Sequence, residues 1–335
     1  MTTSKKPEVS ACGTSCVSAI KNMRINHSRV SQVAQAIQTL IYPGSQDSLL
    51  LIVGPSGVGK TRLAKFVVED ELERSKTVLS QDAGIVPAIY VEADSSGEVE
   101  FSWRLFYQRI LDELNGDFSV DSVDYGINPL TGRMECPKGP NRGTLASMRT
   151  AVERALKARG TKFLVIDEAA HIINQCSSTQ MQRQLDTLKS LANRCGSQII
   201  LVGAYDLHKL MSLSAQLARR THVIHFERYR RDSSQDLISF NSCLRIYEKK
   251  LPELWDGKLL PHAEDLYENT LGCIGTLSAV LTRALRFHVQ GEPWSDVALG
   301  KALYANSQVD QMLAEILEGE AQINPSLSRT LKKVA

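Results

Sequence analysis

Residues 49–61 read LLLIVGPSGVGKT: five apolar residues, a glycine-punctuated loop, then a Lys-Thr pair opening a helical pattern. No other stretch restricts the fold as strongly. An unbroken run such as LLLIV suits a strand covered on both faces, which calls for a parallel sheet flanked by helices. The loop matches G-x-x-x-x-G-K-[ST] in full. Its glycines let successive backbone N–H groups curl inward as an anion nest, and the helix that follows adds positive potential. Gly54, Pro55, Ser56, Gly57, Val58, Gly59, Lys60 and Thr61 are therefore expected to cradle the phosphates of ATP. Lys60 is placed to reach the β- and γ-phosphates and the Thr61 hydroxyl to bind Mg²⁺.

Four further apolar runs share this character, at 88–93, 163–167, 199–204 and 222–227, with helical patterns at 61–74, 103–114, 144–157 and 179–194 between them. The expected fold is α/β, with a five-stranded parallel sheet. A helix at 28–41 precedes the sheet, carrying Val30, Val33, Ala34, Ile37 and Ile41 on one face, with Ser28 as its cap. After residue 232 no strand pattern recurs. Helices are expected at 232–249, 262–270, 276–289 and 295–317, a small all-helical domain. The expected organisation is a flexible arm at 1–23, an α/β domain at 24–231, helices at 232–320 and a flexible tail at 321–335. A loop insertion falls at 116–143, where Gly, Pro and Asn interrupt the pattern.

Composition excludes some classes. At 43% hydrophobic and 23% charged, the chain is not a disordered one. No apolar run reaches the ~18 residues of a membrane span, and the N-terminus lacks an apolar secretory core. A cytoplasmic protein is expected, with its seven cysteines reduced. Cys12 and Cys16 lie near His27, but no second ligand pair follows to complete a zinc site.

The segment FLVIDEAAH, 163–171, ends a strand in two carboxylates. Asp167 is expected at the carboxyl edge of the sheet, where α/β folds bind ligands, and is the candidate second holder of Mg²⁺. Glu168 is the candidate that orients and polarises the attacking water. His171 makes D-E-A-A-H, one residue longer than the helicase spacing, and reads equally as a hinge or core histidine. Tyr205 and Asp206, after the run at 199–204, are candidates for sensing the γ-phosphate or for an ordinary turn.

Arg219 and Arg220 immediately precede the last apolar run. A solvated helix end explains a cation there. With this pair in place, the order of motifs resembles the AAA+ ATPases, whose core arginine before the last strand enters the site of the next subunit. The resemblance implies an AAA+ P-loop core with a helical lid, and makes Arg219 or Arg220 a catalytic arginine supplied in trans. Together with the helix before the loop, the segments IVPAIYVEADSSG, FSWRLFYQRILDEL and FLVIDEAAHI make residues 25–289 similar to the TnsC/TniB transposition regulators, relatives of MuB. That resemblance implies ATP-dependent self-assembly as a ring or helical filament on double-stranded DNA. It implies partnership with a transposase of the TnsB/TniA type and a target selector of the TniQ type, and no membrane. Family DNA contacts between the second and third strands of the core would fall on Arg133, Lys138, Arg142 or Arg149. In the lid, Gly275, Thr276 and Leu277 stand where many relatives carry an arginine, and Arg283 lies two turns further on.

Other readings stay open on the residues alone. A remodelling ATPase of secretion or signalling would share the core without binding DNA. A small-molecule kinase would share the loop, although Glu168 favours hydrolysis. A replication initiator would usually add a winged-helix domain.

Overall fold

The computed structural model describes residues 25, 27–41, 49–93, 101–115, 126–127, 134–135, 144–173, 177–212, 221–289 and 296–323. Arg133, Lys138, Arg142, Arg219 and Arg220 lie outside these residues, as do Cys12, Cys16, the N-terminal arm and most of the C-terminal tail.

Among the described residues there are seven strands: β1 (Leu49–Val53), β2 (Ala88–Glu92), β3 (Gly126–Ile127), β4 (Met134–Glu135), β5 (Phe163–Asp167), β6 (Gln198–Gly203) and β7 (Thr221–His225). Five form the main sheet, in the order β2-β5-β6-β1-β7. The expected five-stranded parallel sheet is thus present. β1, β5 and β6 are central and buried at every position, whereas the edge strands β2 and β7 are each partly exposed. A central strand has both faces covered and needs no polar side, so its sequence runs apolar without a break. Within the stretch expected as a loop, β3 and β4 form a short antiparallel pair.

The helices are α1 (Ser28–Leu40), α2 (Lys60–Arg74), α3 (Lys76–Gln81), α4 (Trp103–Asn115), α5 (Leu145–Ala158), α6 (Ser178–Cys195), α7 (Ser234–Lys250), α8 (Pro252–Trp255), α9 (Ala263–Thr270), α10 (Ile274–Val289), α11 (Asp296–Ala302) and α12 (Asn306–Ile323). Several starts are set by side-chain caps. Ser177 and Gln180 form a reciprocal capping box on α6, and Thr144 and Ser233 cap α5 and α7. Ser28 does not cap α1 as expected. It is the first helical residue, and its hydroxyl donates to Ser239 Oγ at 3.2 Å.

The single helix expected at 295–317 is two. The side chain of Asn269 takes both backbone groups of Tyr304, accepting from its N–H and donating to its carbonyl, each at 2.9 Å. Those groups cannot then continue a helical ladder, and Gln308 accepts from the N–H of Ala305 to start α12.

The chain divides into two compact units. One comprises Ile37–Ile52 and Thr61–Ile224; the other comprises the segment up to Ala36, Val53–Lys60, and the chain from His225 onward. The first holds the body of the sheet, with Leu63, Phe106, Ile110, Val152, Leu156 and Leu188 among its buried residues. The second has its own core, including Phe240, Leu244, Trp255, Leu266, Leu277, Val280 and Leu281. The phosphate-loop residues thus group with the C-terminal helices rather than with the sheet that precedes and follows them in sequence.

Candidate nucleotide site

The loop between β1 and α2 has the conformation the motif requires. Gly57 and Gly59 adopt φ of 77° and 109°, backbone that side-chain-bearing residues rarely enter. Gly54 and Pro55 are buried, Ser56 and Gly57 are exposed, and Val58 is buried with its N–H donating to the Pro55 carbonyl at 3.3 Å. Lys60 opens α2 and folds back over the loop, its Nζ donating to the carbonyls of Gly54 at 3.0 Å and Pro55 at 2.9 Å. An ammonium held there, beside a helix N-terminus, makes a concentrated positive site for phosphate. Thr61 follows, exposed on the first turn.

The helical unit meets this loop directly. The N-terminus of α10 lies on Gly57, and the Thr276 N–H donates to the Gly57 carbonyl at 2.9 Å. A Cβ on Gly57 would collide with Thr276 Oγ1. Arg283 points elsewhere: it donates to the Ala302 carbonyl at 2.9 Å and stacks over Tyr304 at 4.5 Å. It braces α10 against α11 and its exit. Cys273, just before α10, is fully buried and its thiol is pushed up to about 12 by that burial, so it remains a thiol.

The two carboxylates occupy the end of β5. Asp167 is its last residue and is 1% exposed. Glu168 is half-buried and adopts φ 50°, ψ 35°, the left-handed region, which costs a residue with a Cβ about 1–2 kcal/mol. Its N–H donates to Asp167 Oδ1 at 2.9 Å. Tyr90, on the neighbouring strand, donates its hydroxyl to Asp167 Oδ2 at 3.0 Å. The register explains the meeting. Glu92 pairs with Asp167, so Tyr90, two residues earlier, shares its face of the sheet. Burial, and then the Asp167 charge beside it, push the Tyr90 phenol well above its usual range, so it stays protonated and able to donate. The Lys65 ammonium lies 5.1 Å from the centre of the Tyr90 ring. Tyr90 was not legible as a site residue, since no local motif contains it.

The remaining candidates divide. His171 donates its Nδ1–H to the Ala93 carbonyl at 2.7 Å, tying the turn after β5 to the exit of β2. Tyr205 is buried, and Asp206 forms a surface pair with Lys209 at 2.6 Å. Arg149 donates to Glu153 Oε1 at 2.9 Å and to Ser190 Oγ at 2.8 Å, clamping α5 to α6. His27 is turned to Tyr229, Nδ1 to hydroxyl 2.8 Å. No group of three or more His, Cys, Asp or Glu suited to a metal occurs among the described residues. What is offered instead is one buried carboxylate and a threonine hydroxyl. Few, hard oxygen donors suit Mg²⁺, which keeps several waters and shares substrate phosphates.

A phosphate loop, a parallel sheet ordered with β1 between β6 and β7, an acidic pair closing β5 and a helical lid define a P-loop ATPase of the AAA+ type. Residues 43–211, half of the chain, match the family described as AAA domain. The chain belongs to that family and is an ATP-binding, ATP-hydrolysing enzyme of the AAA+ class. No curated protein matches it. Among solved structures it is similar to the ORC2 protein of Aeropyrum pernix in ADPNP–ADP complexes, with TM-score 0.54 and 17% identity over 84% of this chain and 68% of that one. A Walker-type ATPase of Pyrococcus abyssi matches at TM-score 0.49 and 14% identity, over 93% of this chain and 78% of that one. Domain III of the Thermotoga maritima replication initiation protein DnaA matches at 0.46 and 17%, over 84% and 94%. At that identity the likeness to ORC2 is one of fold. No helix among the described residues is long and apolar enough to cross a membrane.

Proposed function

We propose that this AAA+ ATPase is an ATP-dependent transposition regulator of the TnsC/TniB kind, which assembles on duplex DNA and links a TniQ-type target selector to a TnsB/TniA-type transposase. The sequence resemblance over residues 25–289 supports the reading, and the membership in the AAA domain family is consistent with it. The observation that carries the ATP-switch part is the seating of α10 on the phosphate loop at Gly57. Nucleotide that changes the loop changes the footing of the lid, and a DNA-marking assembly needs such a switch.

In this reading Lys60 and the loop N–H groups hold the β- and γ-phosphates. Thr61 and Asp167 are the residues that would hold Mg²⁺, which when bound offsets negative charge on the phosphates. Glu168 orients a water and takes its proton as the water oxygen bonds the γ-phosphorus and ADP leaves. Arg219 or Arg220, adjoining β7, completes the site of the next subunit. Arg133, Lys138 and Arg142 contact DNA phosphates. Arg149 is set aside from that group, because Glu153 and Ser190 already hold its guanidinium.

The test is binding to a labelled duplex of random sequence. Tight binding with ATP or a slowly hydrolysed analogue, little with ADP, and steep weakening with salt are expected. Lys138→Glu with Arg142→Glu should remove DNA binding and spare nucleotide binding. ATP turnover indifferent to duplex DNA would instead indicate a protein-remodelling ATPase.

A further inference from the structure

We propose that Tyr90 is a positioning residue for ATP hydrolysis, acting through Asp167. The proposal rests on the reading of Asp167 as the carboxylate that holds Mg²⁺.

An ionised carboxylate offers about four lone-pair sites and no donor. In this protein two of them are engaged, one on each oxygen. Oδ1 receives the N–H of Glu168 at 2.9 Å and Oδ2 the hydroxyl of Tyr90 at 3.0 Å. One bond to each oxygen fixes the plane of the carboxylate, and so fixes the direction of the lone pairs left for a metal. Partners of this kind orient metal-holding groups and tune their basicity. Asp167 in turn steadies the left-handed backbone of Glu168. Tyr90, Asp167 and Glu168 therefore form one chain of support, running from the edge strand β2 to the residue that handles water.

Packing alone does not require this hydroxyl. The Tyr90 ring is half-buried on the edge strand, under the Lys65 ammonium, and a phenylalanine would fill the same space under the same cation. What phenylalanine lacks is the single donor aimed at Oδ2.

Tyr90→Phe tests this. At fixed ATP, Mg²⁺ is titrated while two signals are read: ATP turnover, and the rise in thermal midpoint that Mg²⁺–ATP produces. About a tenfold higher Mg²⁺ requirement is expected in both. Affinity for a fluorescent ADP analogue without Mg²⁺, and the melting point without ligand, should match the parent. A parental Mg²⁺ titration for Tyr90→Phe overturns the proposal. Asp167→Asn, run alongside, separates the two layers. If it too keeps the parental Mg²⁺ response, the assignment of Asp167 fails and the proposal falls with it. If Asp167→Asn loses the response while Tyr90→Phe keeps it, Asp167 stands and only Tyr90 is refuted.

Discussion

A single histidine shows how much one side chain can carry in this protein. His27 precedes α1, is 8% exposed, stacks on Phe226 with planes 8° apart, and shares a proton with the Tyr229 hydroxyl. Burial, and then the Arg29 charge, push its imidazole down to about 4. The unfolded chain, titrating near 6.5, binds the proton more readily than the fold does. The stability from neutral His27 is thus complete above about pH 6.5 and is lost as pH falls toward 4. Between pH 7 and pH 5 this histidine should cost about 2 kcal/mol that His27→Phe does not lose, measured by urea unfolding of both proteins at the two pH values. Equal losses in parent and variant would contradict the buried, neutral assignment. The residues of the phosphate loop, Asp167 and Glu168 stand out as candidates in the sequence because each belongs to a local motif. Tyr90 and His27 do not, because each acts through a partner 77 or 202 positions away. Only strand register and tertiary packing bring those pairs together.

At the scale of elements, apolar periodicity located the five main strands and most helices, since central burial writes itself directly into sequence. It missed α3, a helix of six residues, too short for a period to declare itself. It also fused α11 with α12, because a break imposed by Asn269 from another helix leaves no local mark. The contact of α10 with the phosphate loop was equally invisible, although Gly275, Thr276 and Leu277 stood out as a departure from the usual lid. Its strength can be measured. Gly57→Ala meets a positive φ and the Thr276 side chain at once, so a loss of about 2–4 kcal/mol in stability is expected. Nucleotide affinity should fall with it. A melting point within a degree of the parent would show that α10 does not rest there.

For the whole molecule, sequence order suggests a sheet domain followed by a lid, while compactness groups the phosphate loop with the lid. On the proposed function, a nucleotide held at residues 53–60 acts within the same compact unit as the C-terminal helices. A near-neutral chain, with a formal charge of +2, is compatible with DNA binding when many copies each contribute one or two phosphate contacts. On the proposed function, assembly is then inseparable from DNA binding, and nucleotide state would control both. The most direct measurement is particle mass in solution, with and without duplex DNA, in ATP and in ADP, for the parent and for Glu168→Gln. Large particles are expected only with ATP and DNA, transient in the parent and persistent in Glu168→Gln. Particles of unchanged mass under every condition, or a Glu168→Gln protein that turns over ATP at the parental rate, would contradict it.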